Sequence, residues 1–292
     1  MSDTLILSGK DAAGSVYADL TSRIESVIDK GKLPGLAAVW VGDDPASRVY
    51  VRSKTKRFRS MGLHSNTITL REDVPEIELL QTIKALNHDK NFHGILVQLP
   101  LPKHINSQNI IESILPEKDV DSFHPQNVGL LTMGRPRYVP CTPKGIMRLL
   151  SHYGIDLSGK HVVVIGRSNI VGRPVSILTS LKTVGANATS TVCHSGTKDI
   201  TYHTRQADVV VTAMGSPNYL KGDMLKNDSV IIDVGINRIE ADNENGYKIV
   251  GDVQWDSIQG IASAATPVPG GVGPMTIAML VENTVEAAES AI

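Results

Sequence analysis

The sequence predicts an α/β fold with two domains, and three observations support this. The chain has 292 residues, which is long enough for two separate hydrophobic cores. Short apolar segments alternate with longer segments of helical character, a pattern typical of parallel sheets covered by helices. A segment rich in glycine and proline, TMGRPRYVPCTPKG at residues 132–145, divides this alternation into two halves.

We expect a first domain at residues 1–142 and a second at 143–274, with a C-terminal helix at 275–292 that packs back on the first domain. In the first half, the predicted strands lie at residues 36–42, 65–70 and 94–100, and the predicted helices at 11–30, 46–61, 76–88 and 107–114. The helix at 46–61 is clearly bounded, because Asp43 or Asp44 precedes Pro45 at its start and Gly62 follows its end.

The second half repeats the alternation. Its predicted strands lie at residues 160–166, 188–194, 207–215 and 229–236. They are continuous runs rich in valine and isoleucine, as expected for strands with helices on both faces. A helix is predicted to begin with Thr142 as N-cap and Pro143 as first residue, and another is predicted at 273–290 with Pro274 in its first turn.

The composition indicates a globular protein that binds neither nucleic acid nor membrane. The net charge of −1 creates no overall field for polyanions, and no apolar run approaches the ~20 residues that span a bilayer. The N-terminus lacks the basic start and the apolar stretch of a signal peptide. The two cysteines, Cys141 and Cys193, fit a reducing compartment and cannot form a zinc site by themselves. We therefore expect a cytoplasmic protein and predict no metal site.

The segment VVVIGRSNIVGRPVS at 162–176 predicts a phosphate-binding turn between a buried strand and a helix. Dinucleotide-binding folds place the pyrophosphate at this point, against backbone N–H groups at the helix start. The glycines depart from the usual G-x-G-x-x-G pattern, because Ser168 occupies the second glycine position and Gly172 lies one residue beyond the third. A plain strand–helix turn is the alternative, which the four surrounding strand signals disfavour. The second domain is therefore predicted to be Rossmann-like.

The end of the second strand of this domain favours NADP over NAD. NAD-binding folds usually carry an acidic residue there for the ribose 2′-hydroxyl group. Here the strand ends in TVCHSGTK, with no carboxylate before Asp199. His194, Ser195 and Arg167 are instead suited to a 2′-phosphate, since a guanidinium group binds a phosphate with two hydrogen bonds.

The predicted helix at 46–61 raises two interpretations of Lys54. Tyr50 and Lys54 are four residues apart and so share a face, which would suit an acid–base pair. The alternative is a solvated basic helix, because Lys54 has several cationic neighbours: Arg48, Arg52, Lys56, Arg57 and Arg59. A lysine base needs its ordinary pKa of ~10.4 lowered by burial or by nearby cations. The crowd of cations is expected to supply one of these causes.

Three further segments carry candidate functional residues. Gln98 ends an apolar strand, where parallel sheets bind ligands. Asp119 and Asp121, two residues apart, suit substrate or metal binding but are also common turn formers. The segment TPVPGGVGPMT at 266–276 could lay its backbone against a flat ligand, or could simply be a turn before a helix.

Eight segments together resemble one known family over nearly the whole chain: PASRVYVRSKTK, GILVQLPLP, KDVDSFHP, PCTPKGI, VIGRSNIVGRP, DVGINR, IVGD and TPVPGGVGPMT. They resemble the bifunctional methylenetetrahydrofolate dehydrogenase/methenyltetrahydrofolate cyclohydrolases, the FolD family. The resemblance implies a cleft between the two domains and two reactions in one-carbon metabolism. NADP oxidises 5,10-methylenetetrahydrofolate to the 5,10-methenyl cation, and water converts this cation to 10-formyltetrahydrofolate.

The resemblance also implies residue roles. Lys54 would be the general acid/base of hydrolysis, and Gln98 would orient it. Tyr50 would stack on the pterin side of the substrate, and Asp121 would accept hydrogen bonds from the pterin nitrogens. The implied substrate-binding residues are Tyr50, Lys54, Val97, Gln98, Leu99, Asp121, Pro269, Gly270 and Gly271. The implied NADP-binding residues are Gly166, Arg167, Ser168, Ser195 and Ile236.

The chain departs from the family pattern at Ser122, where the usual DVDG has glycine. If this position needs a positive φ, serine strains the loop. The resemblance further implies a homodimer formed through the nucleotide domain, without the formate-ligating domain fused to some relatives. Three alternatives stay open: a dehydrogenase of the same architecture on another substrate, such as a shikimate-type hydroxy acid, an NADP-binding sensor, and a dehydrogenase with little cyclohydrolase activity.

Overall fold

The computed structural model of the protein describes residues 3–43, 45–243 and 246–291, except for the side chains of residues 45–47, 49 and 50. The chain divides into two compact units, named here after their sheets. The six-strand unit comprises Met1–Val16 and Thr142–Thr276, and the three-strand unit comprises Tyr17–Cys141 and Ile277–Ile292. The predicted first domain was continuous from residue 1, whereas Met1–Val16 group with the six-strand unit.

The helices are α1 (Gly9–Asp29), α2 (Pro45–Ser60), α3 (Glu76–His88), α4 (Ser107–Ser113), α5 (Pro125–Thr132), α6 (Cys141–His152), α7 (Gly172–Ser180), α8 (Ile200–Thr204), α9 (Trp255–Ile258) and α10 (Val272–Ser290). The strands are β1 (Leu5–Ile6), β2 (Gly35–Val41), β3 (His64–Leu70), β4 (Gly94–Val97), β5 (His161–Ile165), β6 (Thr189–Cys193), β7 (Val209–Thr212), β8 (Val230–Asp233), β9 (Asn237–Glu240), β10 (Tyr247–Val250) and β11 (Ala264–Ala265). No helix among the described residues is long and apolar enough to cross a membrane.

The three-strand sheet is parallel, with strand order β3-β2-β4. Its central strand β2 is buried along its whole length, which explains the uninterrupted apolar sequence GLAAVWV. Ala37 and Val39 belong to one core with Leu79 and Ile83 of α3. The edge strand β3 is only partly buried and has a more polar sequence. The carboxyl ends of β2 and β4 therefore lie side by side, and Gln98 directly follows β4.

The six-strand sheet is also parallel, with order β1-β11-β8-β7-β5-β6. The strand order reverses direction at β5, because β6 lies on one side of it and β7 on the other. Open α/β sheets bind ligands in the crevice at such a reversal, outside the carboxyl ends of the strands. The segments that follow β5, β6 and β7 therefore position any nucleotide site in this unit.

The main differences from the predicted elements involve short or polar segments. Strand β4 ends at Val97 rather than at residue 100, and α6 begins at Cys141 rather than at Pro143. The helix α5 was not predicted, although His124 caps it by accepting the N–H of Gln126 at 3.1 Å. The strands β1 and β11 have two residues each, too few to show a periodicity. The antiparallel pair β9 and β10 was also missed.

Candidate active site

Lys54 lies on the buried face of α2 and exposes only 5% of its surface. Val51 and Phe58, three residues before and four after it, are buried on the same face. Arg52 and Lys56 are exposed. Lys54 is therefore separated from the solvated basic face, so that interpretation does not hold for this residue. The side chain of Tyr50, the predicted partner of Lys54, lies outside the described residues.

The buried amine of Lys54 meets the amide of Gln98. Its Nζ donates to Gln98 Oε1 at 3.4 Å, a long hydrogen bond. Gln98 Nε2 donates to the backbone oxygen of Leu99 at 2.8 Å, which fixes the amide so that its oxygen faces Lys54. Val97, just before Gln98, is buried, and Leu99 is partly buried. The positions of α2 and of the carboxyl end of β4 thus bring Lys54 and Gln98 together.

Burial lowers the pKa of Lys54, because the charged amine loses its hydration. The negative charge of Asp121 opposes this effect without cancelling it. The expected cause, a crowd of cations on the helix, is wrong: the lowered pKa comes from desolvation. The neutral amine is the form that can accept a proton, so the site favours a lysine base.

Asp119 and Asp121 have different surroundings. Asp119 is buried and accepts hydrogen bonds from the N–H of His124 at 2.8 Å and from Asn127 Nδ2 at 2.9 Å, so it holds the turn together. Asp121 is partly buried and interacts electrostatically with Lys54. Burial raises the pKa of Asp121, while the charge of Lys54 lowers it and that of Asp119 raises it. Within the described ranges, no group of three His, Cys, Asp or Glu could hold a metal ion.

Ser122 has the positive φ that its position in the motif suggested, at 62°. A non-glycine residue is uncommon in this left-handed region. The side chain is fully buried and Oγ donates to the backbone oxygen of Tyr138 at 2.9 Å. The backbone N–H of Ser122 donates to the oxygen of Asp119 at 3.0 Å. The hydroxyl hydrogen bond offsets part of the strain, so Asp121 keeps a defined position.

The turn after β5 requires glycine at two points. Gly166 has φ 127°, and a Cβ there would lie 2.3 Å from the oxygen of Ala213. A Cβ on Gly172 would lie 2.1 Å from the oxygen of Gly166. Ser168 Oγ accepts the N–H of Val171 at 3.1 Å, which leaves its hydroxyl hydrogen to donate. The turn therefore brings the Ser168 hydroxyl group to the start of α7, the end of a helix where anions bind.

The segment after β6 lies beside this turn, because β5 and β6 are neighbours and Ile165 is paired with Cys193. Asp199, its first carboxylate, accepts the N–H of Tyr202 at 3.0 Å and so caps α8. Ser195 and Arg167 are both exposed, at adjacent strand ends. This edge of the sheet thus presents a hydroxyl and a guanidinium group, as a 2′-phosphate requires.

Two buried aspartates organise the other side of the strand-order reversal, a feature that the sequence analysis missed. Asp252 is fully buried and accepts the N–H groups of Met214 and Ser216, both at 2.8 Å. Asp233 accepts the N–H of Asp252 at 3.0 Å. Together they fix the segment after β7 and the turn that carries Ile236, which is exposed. The aspartates of the segments DVGIN and IVGD thus stabilise the surrounding backbone by accepting hydrogen bonds from its N–H groups.

The glycine-rich turn before α10 packs against the start of α1. The N–H of Gly9 donates to the oxygen of Gly270 at 2.9 Å, and a Cβ on Gly9 would lie 1.6 Å from the oxygen of Gly271. Gly270 has φ 110°, which favours glycine. Pro269 is exposed and Gly271 is buried. Lys54, Gln98 and Asp121 lie in the three-strand unit, whereas this turn and the predicted NADP-binding residues lie in the six-strand unit.

Comparison with known proteins identifies the family. Residues 7–121 match the domain described as "Tetrahydrofolate dehydrogenase/cyclohydrolase, catalytic domain", and residues 140–292 match the "NAD(P)-binding domain" of the same description. The bifunctional protein FolD of Chlorobium luteolum is 50% identical over 291 residues, which cover 98% of this chain and 99% of the relative. The chain belongs to the tetrahydrofolate dehydrogenase/cyclohydrolase family.

Two solved structures of the tetrahydrofolate dehydrogenase/cyclohydrolase family share the fold. The bifunctional FolD of Campylobacter jejuni has a TM-score of 0.92 and 48% identity, covering 99% of this chain and 100% of that one. The methylenetetrahydrofolate dehydrogenase-cyclohydrolase of Trypanosoma brucei, solved with NADP cofactor and an inhibitor, has a TM-score of 0.94 and 36% identity, covering 100% and 99%. These matches confirm the predicted two-domain α/β class.

Sequence reasoning on this family member also missed Cys141. Its thiol is buried and lies beside the Asp121 carboxyl group, with which it forms a hydrogen bond. Sγ also lies 3.5 Å from the oxygen of Val120. The segment PCTPKG was interpreted as a break between domains, as a helix start and as one of the segments that resemble the family, with no site role for the cysteine. Nothing in the spacing of Cys141 and Asp121 along the chain indicates that they meet.

Proposed function

We propose that this protein catalyses both reactions named by its family. It oxidises 5,10-methylenetetrahydrofolate to 5,10-methenyltetrahydrofolate with NADP, and it hydrolyses the product to 10-formyltetrahydrofolate. The observation that carries this conclusion is the buried amine of Lys54, held beside Gln98 and influenced by the charge of Asp121. A protein that only binds a nucleotide does not require a desolvated lysine at the carboxyl end of a second sheet.

The hydrolysis follows from the state of Lys54. The methenyl carbon is cationic, so a neutral amine beside it does not repel the substrate, whereas an ammonium group would. Neutral Lys54 takes a proton from the attacking water, which forms a C–O bond to the methenyl carbon, and the resulting ammonium then donates this proton to the leaving nitrogen. As the C–N bond breaks, the new hydroxyl group becomes the formyl C=O and releases its proton to solvent, so the hydrolysis of the cation yields one net proton. Gln98 Oε1 accepts a hydrogen bond from Nζ in either state and so keeps the amine in place.

The other residues of the three-strand unit bind and orient the substrate. Asp121 accepts hydrogen bonds from the N–H groups of the pterin, an acceptor facing donors. Tyr50 stacks on the ring system. Val97 and Leu99, which flank Gln98, line the same strand end. Pro269, Gly270 and Gly271 are proposed to offer the flat backbone surface of the folate site, since glycine lets a ligand approach the chain closely.

The six-strand unit fits NADP on two observations. The turn after β5 packs backbone against backbone so closely that a Cβ on Gly166 or Gly172 would clash with a neighbouring oxygen, the tight strand–helix turn that a pyrophosphate site needs. The first carboxylate after β6 is Asp199, which lies beyond Ser195 and caps α8. Ser168 and Ser195 donate hydroxyl hydrogens, and Arg167 contributes the guanidinium group. Ile236 is proposed to contact the cofactor through its backbone. When bound, NADP would supply the hydride acceptor, and these residues would hold it in place.

We further propose a cytoplasmic homodimer formed through the six-strand unit. Both edge strands of its sheet expose apolar side chains, namely Leu5 and Ile6 in β1 and Val192 in β6, as expected of surfaces that pair with a second copy. Both cysteines are buried thiols, which suits a reducing compartment. Light scattering of the purified protein tests the dimer.

We also propose functional domains with the bounds 1–142 and 143–274, with the helix at 275–292 packed on the first domain.

The test of the function is a spectrophotometric time course with methylenetetrahydrofolate and NADP, repeated with NAD. It follows reduced cofactor and the methenyl species as separate signals. We expect NADP reduction with little accumulation of methenyltetrahydrofolate, because the enzyme hydrolyses this species faster than it decays spontaneously. Accumulation of one methenyl per reduced cofactor would leave a dehydrogenase with little cyclohydrolase activity. Absence of reduction with both cofactors would refute the proposal.

A further inference from the structure

Asn283 is a polar side chain on α10, and it is fully buried in the three-strand unit. A buried amide needs hydrogen-bond partners, since an unsatisfied one costs about 1–3 kcal/mol. Its Nδ2 donates to the backbone oxygen of Val120 at 2.8 Å and to that of Val139 at 2.9 Å. Both hydrogens of the amide thus bind backbone, from two segments far apart in sequence.

These two carbonyl groups belong to the segments that carry Asp121 and Cys141. Val120 immediately precedes Asp121, so its carbonyl is part of the peptide that links the two residues. Val139 lies two residues before Cys141, and Asn283 Nδ2 is 3.7 Å from Cys141 Sγ. One amide group therefore holds together the two segments whose side chains meet at the Asp121 carboxyl group.

The neighbouring residue on α10 shows what a purely local polar side chain does. Thr284 is also fully buried, but its hydroxyl donates to Leu280 of its own helix at 2.8 Å. This hydrogen bond stays within α10, and among the described residues the hydroxyl donates to no other segment. Asn283 instead fixes the orientation of the peptide before Asp121, and a change there moves the carboxylate directly. Displacing a binding group by about 1 Å can cost roughly 100-fold in rate.

We propose that Asn283 is a positioning residue for folate recognition, which sets the place of the Asp121 carboxylate by holding the Val120 and Val139 carbonyl groups together. This inference rests on the proposed function, in which Asp121 binds the pterin. It extends the site to a helix that contributes no side chain to the substrate in that proposal.

The test compares Asn283→Ser, Asn283→Leu and the control Thr284→Val. Serine keeps one donor in a smaller side chain, and leucine removes both donors at similar volume. We expect kcat/KM for methylenetetrahydrofolate to fall about 10–100-fold in the leucine variant and less in the serine variant, with the dissociation constant of NADP within about twofold. Thr284→Val should leave the folate KM unchanged. If the leucine variant does not fold, the serine variant decides the question with the same measurements.

A double-substitution cycle with Asp121→Asn separates positioning from general support. If Asn283 acts through Asp121, adding Asn283→Ser to Asp121→Asn should change the folate KM by less than about twofold, since the effect is already lost. Full additivity of the two substitutions would overturn the inference. So would an Asn283→Ser variant with the KM and hydrolysis pH profile of the wild type. An Asp121→Asn variant with an unchanged KM would refute the proposed role of Asp121, and this inference with it.

Discussion

Replacing Lys54 by Met should abolish hydrolysis and at the same time make the protein more stable. Methionine has a similar length and no charge, so it fills the space of the lysine side chain without the cost of burying an amine. The loss of hydrolysis and the gain in stability have a single physical origin, the desolvation of Lys54 Nζ. Their joint appearance is therefore a sharper test than loss of activity alone.

The loss of activity follows from the role of a general acid–base. Proton transfer by a positioned side chain contributes about 10²–10⁴-fold to a rate. This corresponds to about 2.7–5.5 kcal/mol of transition-state stabilisation, at about 1.36 kcal/mol for each factor of ten. The wild-type rate of hydrolysis should fall as the pH falls through the pKa of Lys54, because the neutral amine disappears.

The gain in stability follows from linkage. The pKa of Lys54 is lower in the folded state than in the unfolded state, so the folded state binds fewer protons between these two values. Each unit of lowering costs the folded wild type about 1.36 kcal/mol, a cost fully present below the folded-state pKa. It disappears as the pH rises towards the unfolded value of ~10.4. The lowered pKa already includes the attraction of Asp121, so the net sign is a cost.

The assay supplies methenyltetrahydrofolate directly and follows its loss of absorbance, while NADP reduction and thermal unfolding are measured separately. Lys56→Met is the matched control, because Lys56 is exposed on the same helix. We expect the unfolding temperature of Lys54→Met to exceed that of the wild type at neutral pH and the difference to shrink at higher pH. A variant that hydrolyses within about threefold of the wild type, or that unfolds at lower temperature, would refute the reasoning.

Four other substitutions, at three positions, test the remaining parts of the site. Gly166→Ala places a Cβ 2.3 Å from the Ala213 oxygen, so the dissociation constant of NADP by calorimetry should rise more than about tenfold while hydrolysis of added methenyl substrate persists. Arg167→Ala should weaken NADP about 10–100-fold and NAD little, as expected for lost charge-assisted hydrogen bonds to a 2′-phosphate; equal weakening of both cofactors would contradict this. Ser122→Gly should change the free energy of unfolding by less than about 1 kcal/mol, because relief of strain offsets the lost hydrogen bond. Ser122→Ala keeps the strain and loses the bond, so denaturant titration should show it less stable than the glycine variant by about 1 kcal/mol or more.

The fold was predictable because its central strands have strong patterns. The buried runs of valine and isoleucine that became β5, β7 and β8 can only lie between layers of helices. The two-residue strands and the helix α5 carry too few residues for a periodicity to show. The place of Met1–Val16 with the six-strand unit depends on the pairing of β1 with β11, two strands more than 250 residues apart.

The candidate site was predictable where one element carried the signal. The helix that carries Lys54 and the strand that ends before Gln98 both follow from local patterns. The burial of Lys54 does not, because the sequence shows its many charged neighbours and not the packing of the helix. The meeting of Asp121 with Cys141 and the support by Asn283 depend on three segments joined only in the folded chain.

The central claim is that Lys54 is a desolvated amine with a lowered pKa, and NMR titration of labelled lysine side chains measures this directly. The Lys54→Met spectrum assigns the resonance. We predict that Lys54 titrates below the ordinary lysine pKa of ~10.4 and that the pH dependence of hydrolysis follows its titration. A Lys54 resonance that titrates at or above this ordinary value would contradict the account.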